Sequence, residues 1–481
     1  MKYSTKILVV DLNHKKSSIT EVDSSVLRAY IGGAGLGAKI LWDETSHATG
    51  PFSPENRLIF MIGPLTGKVP QSSRALVCGL SPLNNAWGEA AMGGSWGSEF
   101  SNTGFSGIIV SGRTEKPVYL YIKDKEVSIN DASHLWGKDT FEVSDILQKE
   151  TDEKASVAAI GQAGENQSRI AGIVCDGRFG RVAARCGLGG VMGSKNLKAV
   201  VVRGTGKQKA VDEAGLRAAN KVVTQLLTRI KSGALGPLNM DTNGAIARLN
   251  SFGTLGAKNK SMGRWDAFRE KFHESFEQGE QYHCRLCPTS CIESHVIHDT
   301  RQMVLHMIMS VGSNCLIDNV NALQQGYELC NRYGIDTISF GYTLSFAMEA
   351  YERGLINQKD TGGIDLTWGN RKAMLEVLRQ IGENEGFGKV LGQGSLRAAQ
   401  QIGGEALQYA MHVKGLEVPY FDPRIFNSLA IAYATGNRGG SHYESPSHHI
   451  ERRNPEAGFG IDLAEFGYPQ GVSRLGLQGK A

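Results

Sequence analysis

Tyr282-His283-Cys284-Arg285-Leu286-Cys287-Pro288-Thr289-Ser290-Cys291 gathers three of the chain's eight cysteines into eight residues, spaced C-x-x-C-x-x-x-C. A short loop of this kind, stiffened by Pro288, can turn several thiolates toward one centre. Soft thiolate ligands select zinc, copper(I) or iron–sulfur clusters. A zinc knuckle would call for a second C-x-x-C or a later, more widely spaced histidine pair, and His295 and His298 are only H-x-x-H apart. Three clustered cysteines with one distant ligand are a common iron–sulfur arrangement. Buried structural thiols and a redox-active C-x-x-C pair are the competing readings. The clustering favours an iron–sulfur centre on Cys284, Cys287 and Cys291, and hence electron transfer.

A second chemistry is carried by glycine. The chain has 60 glycines in 481 residues, nearly twice the usual share of about 7%, in discrete clusters. Gly32–Gly37 follows a helix-like stretch rather than a strand, which argues against a dinucleotide fingerprint. Pro64–Gly67 leads to Ser72-Ser73-Arg74. Met92–Gly97 and Arg181–Lys195 complete the set. Glycine beside Arg, Lys and Ser suits an anion cradle, in which backbone N–H groups and guanidinium forks meet phosphate oxygens. Four such clusters favour a phosphate-bearing cofactor over plain turns, and no Walker sequence is present.

Asp336 reads first as the N-cap of a helix, with Ser339 three residues on. Its sharper reading is a carboxylate facing a guanidine-like donor pair, such as the amino edge of a pterin. His412 and His442 lie in or after glycine-rich runs, where an imidazole can move protons near neutral pH.

The elements that position these groups fall into two halves. Up to about residue 205 the chain is strand-rich, with apolar or alternating runs at Ile7–Asp11, Leu58–Ile62, Ala75–Gly79, Ile108–Ser111, Val118–Ile122, Val157–Ile160, Ile170–Val174 and Ala199–Arg203. Helices are predicted at Ser25–Trp42 and Thr140–Lys149. From Val211 the period becomes helical, with a stripe at Leu216, Ala219, Val223, Leu226, Leu227 and Ile230. Further helices are predicted at Val320–Arg332, Ile338–Arg353, Asn370–Ile381 and Lys389–Ile402. The fold class is α+β, divided as 1–207 (β-rich, cofactor-binding), 208–415 (helical, with the cysteine loop) and 416–481 (the start of a second helical domain). Lys+Arg total 52 against Asp+Glu 48, with no basic block, so nucleic acid is not implied. No apolar run reaches membrane-span length and no signal peptide opens the chain, which with clustered thiols points to the cytoplasm.

In combination these segments resemble the aldehyde ferredoxin oxidoreductases, the tungsten (or molybdenum) bis-pterin enzymes. The resemblance is carried by Tyr30–Gly37, Ala163–Asn166, Gly187–Val200, the cysteine loop, Leu329–Ser339, Ala410–Glu417 and Tyr433–Thr435. It implies an N-terminal β domain that seats two pterins under helical domains, and a [4Fe–4S] cluster on the cysteine loop. It implies that Arg74, the loop of Gly93, Gly94, Ser95 and Gly97, and the loop of Arg181, Ala183, Arg185 and Gly187 hold the pterin phosphates, with Mg2+ as an accessory ion. Asp336, with Ser339 and Gly341, would bind one pterin, and His442 would lie near the metal. The implied reaction takes a small aldehyde to its carboxylate and passes electrons to a ferredoxin.

The sequence departs from that family in two places. The family's fourth cluster cysteine and second pterin motif lie beyond Ala481, and no cysteine follows Cys330. An incomplete or non-catalytic member that binds cofactor only with a partner chain is therefore the alternative reading, and a homodimer is a family expectation. Where the family carries glutamates, this chain has Met303, Val304, Leu305 and His306, which makes His306 a second candidate catalytic residue. Cys78, Cys175, Cys186, Cys315 and Cys330 read as small buried residues.

Overall fold

The computed structural model describes residues 5–206, 210–231, 242–275, 284–287, 294–297 and 301–444. Two mixed six-stranded sheets organise the first half. One takes β1 (Thr5–Asp11), β2 (Lys16–Val22), β3 (Leu58–Ile62), β4 (Ala75–Leu80), β5 (Trp87–Met92) and β6 (Phe105–Ser111) in the order β2-β1-β6-β3-β4-β5. The other takes β7 (Val118–Lys123), β8 (Glu126–Asp131), β9 (Ser156–Ala159), β10 (Ile173–Cys175), β11 (Arg181–Ala183) and β12 (Leu197–Arg203) in the order β11-β10-β9-β12-β7-β8. In each sheet one pair is parallel, β1 with β6 and β7 with β12. β3 reads Leu-Ile-Phe-Met-Ile and is buried at all five positions, as a strand covered on both faces must be. β2 is an edge strand of Lys, Ser, Thr and Glu, exposed at six of its seven positions.

Trp96 fastens the two sheets together. It is fully buried, its ring lies 5.6 Å from Phe60 of β3, and its Nε1 donates to the Val200 carbonyl of β12 at 3.0 Å. The helix expected over Ser25–Trp42 is two helices, α1 (Ser24–Tyr30) and α2 (Gly33–Glu44). The break falls at Ile31 and Gly32, with φ of +63° and +150°. Gly35 lets α2 press on the end of α1, where a Cβ would stand 2.5 Å from the Tyr30 carbonyl oxygen.

In the second half, helices form at Val320–Tyr333, Thr337–Glu352 and Arg371–Glu383, as the periodicity predicts. The expected Lys389–Ile402 helix is divided into Gly388–Leu391 and Ser395–Ile402, with Gly394 at φ +85° between them. A π-helix at Ile308–Ser313 has no local sequence signal. Gly341 admits it, because a Cβ there would stand 2.1 Å from the Ser310 carbonyl oxygen. The Glu213–Lys231 helix forms, but of its predicted stripe Leu227 is buried while Val223 and Leu226 are exposed among the described residues.

Backbone pairing clamps the helical half onto the sheets. Ala171 bridges Ile335, Gly172 N–H donates to Gly334 at 2.8 Å, and Asp336 N–H donates to Ile170 at 2.9 Å. Among the described residues no helix is long and apolar enough to cross a membrane.

Candidate functional site

Strand register builds the first part of the site. Ala75 pairs with Met92 in the β4–β5 ladder, so Arg74 and Gly93 leave the sheet side by side. Cys175 pairs with Arg181 across β10 and β11, and the Cys175 thiol donates to the Gly93 carbonyl at 3.2 Å. Asp176 accepts from Ser95 N–H at 2.8 Å and from Ser95 Oγ at 2.5 Å. The Ser95 N–H expected to face an anion is thus committed to a carboxylate. The glycines of this loop serve close protein contacts. A Cβ on Gly94 would fall 2.0 Å from Asp176 Oδ2, and one on Gly97 would fall 2.4 Å from the Ser73 carbonyl. Gly187, at φ +68°, similarly meets the Arg169 carbonyl, and Ala183 is buried in the sheet.

Residues 284–287 of the cysteine loop dock on this corner. Cys287 N–H donates to the Cys284 carbonyl at 3.0 Å across a turn with Leu286 at φ +59°. Both thiols are half-buried. Arg285 reaches Glu99 Oε2 at 3.2 Å, and Glu99 also accepts from Arg203 Nη1 at 2.7 Å and Gly204 N–H at 2.9 Å. Burial pushes the Cys175 thiol well up, and the charge of Asp176 adds to that while Arg181 opposes it. Cys291 lies outside the described residues, and among those described no group of His, Cys, Asp and Glu is placed to hold a metal ion. Cys315 and Cys330 are fully buried, and burial pushes the first thiol well up and the second to about 12.

Asp336 is the N-cap, as read from sequence: it accepts from Ile338 N–H at 3.0 Å and from Ser339 Oγ at 2.8 Å. It is also the partner of Arg185, at 3.1 Å. Arg185 Nη2 further donates to the carbonyls of Glu417 and, at 3.0 Å, Gly440. Ser339 Oγ lies 2.7 Å from Glu417 Oε2, and Glu417 Oε1 accepts from Ser395 N–H at 2.8 Å. One buried network therefore joins the Arg181–Gly187 loop, the Asp336 helix and the Met411–Glu417 run. Gly341 sits apart from it, against the π-helix.

The two candidate histidines come together. His306 and His442 have ring centroids 6.2 Å apart. Tyr420 lies 5.7 Å from His306 and 6.5 Å from His442, and Phe421 lies 5.0 Å from His442. Tyr443 packs on His442 at 4.4 Å, and the Arg74 guanidinium lies over Tyr443 at 5.9 Å. Arg438, beside them, is buried and holds Glu444, Ser441 and the Glu89 carbonyl of β5. Sequence reasoning missed Glu99, Asp176, Glu417 and Tyr420 as candidate site residues. For Glu417 a signal existed, since it closes the Met411–Glu417 run.

The donor set fits a large anionic cofactor. Arg74 is exposed, and no carboxylate among the described residues forms a salt bridge with it. Its charge is available beside Gly93.

Family models settle the lineage. The model of the aldehyde ferredoxin oxidoreductase N-terminal domain matches residues 7–204, and that of domains 2 and 3 matches residues 221–481. The chain belongs to the aldehyde ferredoxin oxidoreductase family. It is an oxidoreductase of that type. The tungsten-containing aldehyde ferredoxin oxidoreductase of Pyrococcus furiosus is 34% identical over 452 residues, which cover 92% of this chain and 74% of that protein. The aliphatic sulfonate oxidoreductase WOR-like subunit of Pyrococcus furiosus is 31% identical over 519 residues, 98% of this chain and 78% of that protein. Among solved structures, the active site complex BamBC of benzoyl coenzyme A reductase matches with a TM-score of 0.80 and 29% identity, over 91% of this chain and 70% of that one. The α+β architecture is that of this family.

Proposed function

We propose that this aldehyde ferredoxin oxidoreductase family member oxidises aldehydes to carboxylic acids and delivers the electrons to a ferredoxin. The observation that carries the reading is the His306–His442 pair at 6.2 Å, enclosed by aromatic rings and backed by Arg74. A tungsten (or molybdenum) bis-pterin, when bound, supplies a two-electron acceptor for aldehyde plus water going to carboxylic acid, two protons and two electrons, and a [4Fe–4S] cluster releases the electrons singly.

The chain's own residues do the rest. Arg74 and the Arg181–Gly187 loop hold phosphate charge, with Mg2+ as counter-ion, and Asp336 offers its carboxylate to a pterin edge while Arg185 fixes it in place. Cys284, Cys287 and Cys291 hold the cluster. His442 orients the substrate carbonyl and accepts or returns a proton, with His306 as its neighbour in that role. Tyr420 and Phe421, both buried, keep water from the space between them.

The test is dye-linked aldehyde oxidation by protein purified without oxygen. His442→Ala is expected to lower kcat by roughly 10²- to 10⁴-fold, the range for losing a proton-transferring side chain. Metal-loaded protein that oxidises no aldehyde in a broad panel would overturn the reading.

A further inference from the structure

Lys260 is 6% exposed and lies beneath the histidine pair. Its Nζ donates to the carbonyls of Tyr420 at 3.3 Å and Phe421 at 3.4 Å, the two residues whose rings touch His306 and His442. Its ammonium also lies 5.6 Å from the centre of the Tyr342 ring. Tyr342 is fully buried, and its hydroxyl has no hydrogen-bond partner among the described residues.

The backbone goes to unusual lengths to place this lysine. Lys258, Asn259 and Lys260 have φ of +49°, +48° and +62° in succession. Non-glycine residues rarely adopt this region in succession, so such runs persist only where the surroundings enforce them. Here Lys258 N–H donates to Ser313 and Asn259 N–H to Asn314, at the end of the π-helix that follows His306. Two rare backbone conformations thus meet at one buried cation.

The surrounding carboxylates carry arginine partners, and the charge of Asp422 also acts on Lys260. Asp422 is bound by Arg424 at 2.6 Å, Glu444 by Arg438 at 3.1 Å, and Asp336 by Arg185 at 3.1 Å. Lys260 forms no salt bridge among the described residues. A buried ammonium held by carbonyls over a tyrosine ring, with no carboxylate in salt-bridge contact among the described residues, is stabilised by a further anion.

We infer that Lys260, with the Tyr342 hydroxyl, receives a negatively charged group on the substrate, so that this chain prefers small aldehydes that carry a second, carboxylate-like end. The inference rests on the aldehyde reading above and adds the substrate class. Burial pushes the Lys260 ammonium down to about 8, with Asp422 pulling it up and Arg424 pushing it further down. His306, His442, Tyr342 and Tyr433 also face this region. An anion seated on Nζ raises its affinity for a proton, so binding at pH 8 takes up protons.

The experiment compares succinic semialdehyde with pentanal as substrates of anaerobically purified holoprotein, and follows succinate binding by calorimetry in buffers of different ionisation enthalpy. The charged aldehyde is expected to be preferred in kcat/KM by roughly 10- to 100-fold, the worth of a charge-assisted hydrogen bond. Lys260→Met should erase that preference by lowering kcat/KM for succinic semialdehyde far more than for pentanal, and Lys260→Arg should keep part of it. Proton uptake on succinate binding to the unaltered protein at pH 8 supports the inference even if Lys260→Met does not fold. Equal use of both aldehydes, or succinate binding without proton uptake, overturns it. If neither aldehyde is oxidised the aldehyde reading fails, and succinate binding still decides whether Lys260 holds an anion.

Discussion

Asp336 shows how one side chain serves local structure and the site together. Its Oδ1 caps the Thr337–Glu352 helix while its Oδ2 holds Arg185 at 3.1 Å. Removing one partner of a buried ion pair costs about 3–5 kcal/mol, and losing a cap costs about 1 kcal/mol. Asp336→Ala should therefore lower unfolding stability in urea by several kcal/mol, and Asp336→Asn, which can still cap, should lower it less. Equal losses would mean that the cap and the ion pair are not separate contributions. Lys195 gives a pH test. It is wholly buried, donating to the carbonyls of Pro54 at 3.1 Å and Gly112 at 3.4 Å, and burial, followed by the Arg57 charge, pushes it down to about 7. An unfolded lysine titrates near 10.4, so between these values the unfolded chain binds more protons and native stability rises with pH. The penalty is full below pH 7 and fades above it. Relative to Lys195→Met, the unaltered protein should gain about 2 kcal/mol of stability between pH 7 and 9 in urea titrations, and a flat difference would refute the assignment. The cap role of Asp336 was legible because an aspartate before a helical period admits few other readings. Its bond to Arg185 was not, because it depends on how β10 and β11 lie against a helix far along the chain.

Elements decide whether the site's pieces meet. β3 was legible from its unbroken apolar run, and the breaks after Ile31 and at Gly392–Gly394 were blurred because helical periodicity continues across them. β5 reads Trp-Gly-Glu-Ala-Ala-Met, a poor strand composition, and exists because its register with β4 is filled at every position. The π-helix was invisible because its cause is a partner, Gly341, on another helix. Gly341→Ala should push the Ser310 backbone away, with a stability loss of about 1–3 kcal/mol and lower activity through displacement of His306. Full activity with only lost stability would show that the π-helix does not position the histidine. Glu99 ties the cysteine loop to the sheet through Arg285. Glu99→Gln should lower iron content per chain while leaving the fold intact by circular dichroism, and unchanged iron would mean the loop closes on its cluster without that tie.

At the scale of the molecule, two sheets bolted by Trp96 form a base, and the helical half is clamped to it through Gly334, Ile335 and Asp336. The α+β class was legible, since the hydrophobic period changes once along the chain. Proximity of the cysteine loop, the Gly93 loop, Arg185–Asp336 and the histidine pair was implied by the family resemblance alone and not by periodicity or spacing, because it is set by long-range packing. That proximity is the central claim, and it is tested most directly by counting iron, sulfide, tungsten, molybdenum and pterin in folded protein purified without oxygen. The account predicts about four irons with about one tungsten or molybdenum and accompanying pterin per chain. Folded protein that contains neither group VI metal nor pterin would contradict it.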